Sequence, residues 1–438
     1  MTTHRVVVTG VGLASPVGTT LAEVSQSLQT GRHGIVTVPE WSGVEELRTR
    51  LAGVVPGYRS PPADSLLKPN AASGPPRGGE GLAPLDLEGR WPRKKTRTMG
   101  RVGLLATYAT EQALASAGLQ DDPVLGSGAT GLAYGSTSGS SEALVDYCVT
   151  LFTRLSMRGL QSTSFLKFMA HTCAANLSQF YGIRGRIIPT NSACTSGAQA
   201  IGYAYEAIKY GKQDVMIAGG ADEMHFTTAV TFDLMFATSA NFNHQPDRSP
   251  RPFDAKRDGL VVGEGAGTLI LESYERARAR GARIYAELLG FGTNCDGIHI
   301  TAPSETGMCG AMALSLHDAG LKPGDIDYVN AHGTATDIGD VAETGATRTI
   351  FGRPVPISSP KSFTGHTMGA CGAIEAAFCL VMLQDGFLMP TRNLDELDPR
   401  CADLDYVREV RRAAPTTIMS NNFAFGGVNT SLIFRRVD

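Results

Sequence analysis

The sequence contains no CxxC pair and none of the close Cys/His spacings of a zinc finger; its eight cysteines, at 148, 173, 194, 295, 309, 371, 379 and 401, are scattered over 438 residues. A disulfide framework and a structural zinc are therefore not expected. Charge of either sign is not in excess, with 39 Lys and Arg against 42 Asp and Glu and a formal net charge of −3. That removes the general electrostatic reason to bind nucleic acid or an anionic membrane. Uninterrupted apolar runs fall short of the roughly eighteen residues that a membrane-spanning helix needs. The opening stretch Arg5-Val-Val-Val-Thr-Gly is too brief for the apolar region of a signal peptide. A cytoplasmic protein without membrane insertion is expected.

What is present reads twice. Arg5-Val-Val-Val-Thr-Gly-Val-Gly-Leu-Ala opens the chain, and Arg283-Ile-Tyr-Ala-Glu-Leu-Leu-Gly-Phe-Gly-Thr repeats the strand-then-glycine shape. Helical spacing over 102–117 leads into a strand at 130–135, as 310–319 leads into 326–332. Each half then reaches a strand, a turn and a helix of small residues: Cys194 stands at that turn in the first, and Lys361 to His366 precede a helix over 370–385 in the second. Closing strands at 265–272 and 427–435 complete the parallel. Strands alternating with helices predict an α/β fold with parallel-rich sheets, built as two βαβ-rich halves, 1–275 and 276–438. The Pro- and Gly-rich stretch 56–92 interrupts the first half and reads as an irregular insertion.

Three polar islands carry the chemistry. Cys194 follows the short run Arg186-Ile-Ile-Pro-Thr-Asn-Ser-Ala and precedes a helix, so the positive end of that helix is expected to favour its thiolate and make it a nucleophile. The other seven cysteines read as small buried hydrophobes. His332, followed by Gly-Thr334-Ala-Thr336, and His366, between Gly365 and Thr367, lie in glycine-flanked loops equivalent to first-half strand ends. Such groups offer the acid, base or hydrogen-bonding partners that a thiol nucleophile requires. Lys361, among small and apolar residues, needs a carboxylate if buried, and Glu343 is the candidate. On these residues alone a protease-like pair, an acyltransferase and a carbon–carbon bond-forming enzyme all remain open.

The motifs Ala193-Cys194-Thr-Ser-Gly, Arg251-Pro-Phe-Asp through Gly267, His332-Gly-Thr-Ala-Thr, Lys361-Ser-Phe-Thr-Gly-His366 and Asn422-Phe-Ala-Phe425-Gly-Gly-Val-Asn429 together resemble the elongating β-ketoacyl-acyl carrier protein synthases of the thiolase superfamily. The resemblance spans nearly the whole chain in order. It implies a thiolase-like, five-layered αβαβα fold, a homodimer, and a decarboxylative Claisen condensation of malonyl-carrier protein with an acyl chain held on Cys194. By the same resemblance His332 and His366 bind the malonyl thioester carbonyl, and Lys361 orders the site with Glu343. The backbone N–H groups of Cys194 and Phe425 form the oxyanion hole, and Phe425 gates the acyl pocket. Thr334 and Thr336 hold the pantetheine arm. Ser138 occupies the position of the pocket floor, and Lys94 and Arg97 suit docking of an acidic acyl carrier protein.

No cofactor and no metal are implied, since the substrates ride on the carrier's phosphopantetheine. Departures from the family pattern are Ala335, Asp337 and Cys371, the last pointing toward an alternative reading as an aryl-polyene or other type II polyketide ketosynthase. Such an enzyme could pair with a paralogous chain-length partner instead of a second copy of itself. A thiolytic enzyme would be expected to have a second catalytic cysteine where Asn422-Phe-Ala-Phe stands, an initiating synthase one histidine and one asparagine, and a non-catalytic partner no Cys194.

Overall fold

The computed structural model describes residues 3–60 and 74–437. Eleven strands join in one sheet with a repeated plan. In the first half the order is Val6–Ala14, Gly265–Ser273, Val215–Asp222, Thr130–Gly135, Ile187–Thr190; the first two pairings are antiparallel and the last two parallel. In the second half Ala286–Cys295, Val428–Arg435, Thr417–Ala424, Tyr328–Asn330 and Pro356–Ser358 follow with the same alternation. A two-residue strand, Asp405–Tyr406, is added at that edge. The half-sheets meet where Val6–Val8 pair antiparallel with Ala286–Leu288.

Helices divide this sheet into layers because their apolar faces have to be covered. Helices Ser196–Lys209 and Cys371–Asp385 each follow the last parallel strand of their half, and they share one core with both half-sheets. Arg101–Ala117 and Thr172–Tyr181 cover the outer face of the first half. Glu305–Ala319 and Asp337–Phe351 cover that of the second. The result is the five-layered αβαβα arrangement expected from the family resemblance. Met368–Asp385 has a mean hydropathy of 1.3 and is long and apolar enough to cross a membrane, yet 89% of it is buried inside the protein; it is a core helix.

Of the insertion expected over 56–92, residues 61–73 lie outside the described residues. The rest holds no helix or strand. It is fastened by buried Leu87 and by an ion pair of Arg77 with Glu40 at 2.5 Å. A small sheet of Ile35–Thr37, Leu51–Gly53 and Val262–Gly263 joins helix Phe226–Leu234 in a separate cluster around Trp41 and Phe232.

Candidate active site

Cys194 sits in a single 3-10 turn, Ala193–Thr195, before helix Ser196–Lys209. Ala193 adopts φ of 50°, a left-handed conformation unfavourable for any residue with a Cβ, and local hydrogen bonds hold it there. Ser196 Oγ donates to Ala193 O at 2.6 Å while accepting from Ser192 N, and Thr195 Oγ1 donates to Ser192 O. The thiol is buried and faces His366, with Sγ 3.0 Å from Nε2. Burial pushes it up to about 12, with the Lys361 charge pulling the other way. Burial thus works against the thiolate that the helix end was expected to favour.

Both imidazoles belong to the second half and are pinned through Nδ1. Met368 N donates to His366 Nδ1 at 3.2 Å, and Lys361 Nζ lies 3.2 Å from His332 Nδ1. A backbone N–H and an ammonium can only donate, so each neutral ring accepts at Nδ1 and carries its proton on Nε2. Burial drives both histidines well below the usual imidazole range, and the Lys361 charge adds to this. The rings meet edge-on with centroids 5.1 Å apart. Two neutral N–H donors therefore share the cavity with the sulfur.

Lys361 is paired with Glu375, not with Glu343. Its Nζ donates to Glu375 Oε1 at 2.6 Å, and Asn422 Nδ2 occupies the other oxygen at 2.7 Å. Burial is the largest single influence and works against the ammonium, but Glu375 together with the smaller effects of Cys371 and Glu343 holds Lys361 above its ordinary value. Glu343 instead accepts the backbone N–H of His332 at 2.7 Å and of Gly333 at 2.6 Å. It shapes the His332 loop, and burial raises its carboxyl to about 8. Asp340 does the same for Ala335, which takes the left-handed conformation at φ of 64°. Glu375 was legible as the lone charge in the apolar run Gly372-Ala-Ile-Glu-Ala-Ala-Phe-Cys-Leu-Val-Met-Leu383.

A cavity of about 900 Å³ opens above these groups, lined by Cys194, His332, His366, Thr334, Thr336 and Phe425 among others. The two threonine hydroxyls lie 2.9 Å apart. Phe425 heads the three-residue turn between strands Thr417–Ala424 and Val428–Arg435, its ring 5.8 Å from that of Phe232. Ser138 is not part of this cavity; it is exposed, next to Thr137, whose backbone N–H donates to Asp222 at 2.9 Å. Lys94 is in, and Arg97 ends, the short exposed helix Arg93–Thr96, where Lys95 lies over the Phe180 ring. Neither lines the cavity.

Ligand atoms of Cys194, His332 and His366 all lie within 4.8 Å of one another, a donor set a soft cation could use. Lys361 opposes this. A metal on His332 Nε2 would move the ring proton to Nδ1, against an ammonium 3.2 Å away.

The chain resembles known proteins along its length. The chain matches the family description "Beta-ketoacyl synthase, N-terminal domain" over residues 3–77 and 85–277, and "Beta-ketoacyl synthase, C-terminal domain" over 285–395. It is 37% identical over 437 residues, 99% of each chain, to 3-oxoacyl-[acyl-carrier-protein] synthase 1 of Haemophilus influenzae. The crystal structure of a beta-ketoacyl synthase from Burkholderia phymatum STM815 is 49% identical, with a TM-score of 0.90 over 99% of this chain and 100% of that one. A type II PKS ketosynthase solved in complex with its acyl-carrier protein is 27% identical, with a TM-score of 0.85 over 100% of both chains. With a buried Cys-His-His centre at the meeting of two repeats and these matches along its length, the chain belongs to the β-ketoacyl synthase family.

Proposed function

We propose that the chain is an elongating β-ketoacyl-acyl carrier protein synthase, condensing malonyl-carrier protein with an acyl chain held on Cys194. The observation that carries this is the pair of Nε2–H donors beside the thiol, with His366 Nε2 3.0 Å from Sγ. Sγ attacks the acyl thioester carbonyl; the bond to the pantetheine sulfur breaks and that sulfur takes the thiol proton. Backbone N–H groups of Cys194 and Phe425 receive the oxyanion, and Thr334 and Thr336 contact the pantetheine arm. Malonyl-carrier protein then loses carbon dioxide, and the electron pair of the broken bond moves onto the thioester oxygen as an enolate. His332 and His366 donate to that oxygen. The enolate carbon attacks the acyl-Cys194 carbonyl, the carbon–sulfur bond breaks, and the Cys194 thiolate released takes a proton from solvent. No cofactor of the protein's own enters any step.

Intact mass after incubation with a panel of acyl-carrier proteins tests this. Wild type gains an acyl mass at Cys194; Cys194→Ala gains none and does not condense. His332→Ala and His366→Ala keep the adduct but lose condensation by about 10² or more. Undiminished condensation by Cys194→Ala would refute the reading.

We also infer a homodimer formed across the edge strand Ile187–Thr190, whose outer side has no partner among the described strands. Phe165, Phe152 and Leu144 are exposed nearby, on segments tied to this edge by Asn191 Nδ2 donating to Ala170 O. Ser138 lies beside them, where a second copy would close the acyl pocket over it.

A further inference from the structure

Cys371 departs from the family pattern, and the chemistry described above leaves it unused. It opens helix Cys371–Asp385, is 1% exposed and is not among the residues that line the cavity. A thiol so placed meets neither substrate nor solvent, so it can act only through its neighbours. Its sulfur lies 3.2 Å from the backbone oxygen of Cys194, and Asn422 Nδ2 donates to it at 3.6 Å. A carbonyl can only accept, so the S–H hydrogen points at Cys194 O. Asn422 also donates to Glu375, Glu375 accepts from Lys361, and Lys361 holds His332 Nδ1. Cys371 therefore completes a polar chain that runs from the nucleophile's own peptide group to one of the two imidazoles.

This contact depends on two central helices that start against one another. Aligned on Ala193 and Met368, the left-handed residues of the two turns, Cys371 stands where Ser196 stands and Gly372 where Gly197 stands. A Cβ on Gly197 would fall 2.9 Å from Gly369 O and 3.0 Å from Ala373 N, and one on Gly372 would fall 2.7 Å from Ala198 N. Both helices need glycine there to come so close. Ser196 Oγ turns back onto its own segment at Ala193 O, whereas its counterpart Cys371 crosses to the other repeat. The carbonyl it reaches shares the Cα of Cys194 with the attacking side chain and with the N–H that receives the oxyanion. Holding that carbonyl fixes the torsion that sets where both point, next to a residue in a strained conformation. Burial keeps the Cys371 thiol well above its usual range, so it stays a donor.

We infer that Cys371 is a positioning residue for the nucleophile: its S–H, donated to Cys194 O, sets the direction of the Cys194 sulfur and N–H for the acylation step. The inference rests on the synthase reading above and adds to it a residue that itself reacts with nothing.

Cys371→Ala and Cys371→Ser in the full-length enzyme test it, since alanine removes the donor and serine keeps one. Transfer of an acyl group from its carrier protein to Cys194, followed by intact mass, is expected to slow about fivefold in Cys371→Ala at an unchanged KM for the acyl-carrier protein, and to return to within about twofold of wild type in Cys371→Ser. Release of carbon dioxide from malonyl-carrier protein should keep the wild-type rate in both variants, because Lys361, Glu375 and His332 retain their bonds. A side chain that merely filled space would depress both reactions together. Alkylation of Cys194 by iodoacetamide, located by peptide mass mapping, needs no acyl substrate; it should slow in Cys371→Ala and recover in Cys371→Ser. Acylation at the wild-type rate by Cys371→Ala overturns the inference. So does a serine variant as slow as the alanine one, or an equal loss of acylation and decarboxylation. If the alkylation rates follow the expected order while wild type takes no acyl group from any carrier protein, the synthase reading fails and the role of Cys371 stands.

Discussion

Lys361 is an ammonium shut away from water, and it decides what His332 can do. Its charge is tolerated because Glu375 accepts from it at 2.6 Å and Asn422 completes that carboxylate. Lys361→Met should leave Glu375 buried and unpaired, destabilising the fold by about 3–5 kcal/mol. Adding Glu375→Leu should recover most of that loss, since a buried ion pair can be replaced by packed apolar groups at little cost. Malonyl decarboxylation should not return, because His332 Nδ1 has lost the donor that keeps the proton on Nε2. Urea unfolding beside a decarboxylation assay separates the effects; a double variant with wild-type decarboxylation would remove Lys361 from the argument. Cys194, His332, His366 and Lys361 could be picked out from their settings among small residues. Glu375 could not be preferred to Glu343 without the fold, because each is a carboxylate within a helix that follows one of the two histidines. Only the packing of helix Cys371–Asp385 against the centre decides which of them faces the lysine.

At the scale of elements, the two central helices start alike. Ala193 has φ of 50° before Cys194 and Met368 has φ of 51° before Gly369, each within a single 3-10 turn. Gly369 thus stands in the second half where Cys194 stands in the first. One repeat supplies the sulfur; the other supplies the imidazoles, His366 just ahead of the equivalent turn and His332 just after strand Tyr328–Asn330. This plan was legible because strand-then-glycine openings and small-residue helices recur in order. Lengths were less so: the strand expected over 326–332 runs only Tyr328–Asn330, and Glu343 takes the backbone amides of His332 and Gly333 that would have continued it. The helix from Cys194 also depends on close packing that the pattern only hints at. A Cβ on Gly202 would fall 2.3 Å from the Phe291 ring, which is held edge-on by Tyr203 with ring centroids 5.6 Å apart. Gly202→Ala gains up to about 1 kcal/mol of helix propensity but incurs about 1–3 kcal/mol of overpacking. A net loss of stability is expected in urea unfolding, together with slower acylation as the helix start moves; a stabilised variant would mean that Phe291 yields freely.

For the whole molecule, the half-sheets are joined edge to edge on one side, and the first half-sheet ends on Ile187–Thr190, paired only with Thr130–Gly135 among the described strands. An open strand edge flanked by large apolar side chains is a site for further pairing. Pro189 removes one donor from this edge, and Ile187 is exposed on it. A second copy related by a twofold axis would satisfy the remaining backbone groups and cover Phe152 and Phe165 at once, since such an interface presents the same patch from both sides. Nothing of this was visible in composition or spacing, because the strand reads the same whether its outer edge meets solvent or another chain. Ile187→Lys with Phe165→Glu should place charges on the patch in every copy. Sedimentation velocity at micromolar concentration is expected to give a dimer for wild type and a monomer for the variant. The monomer should lose chain-length control with the wall around Ser138. Wild type sedimenting as a monomer, or a variant that still dimerises, would show that this edge is closed in some other way.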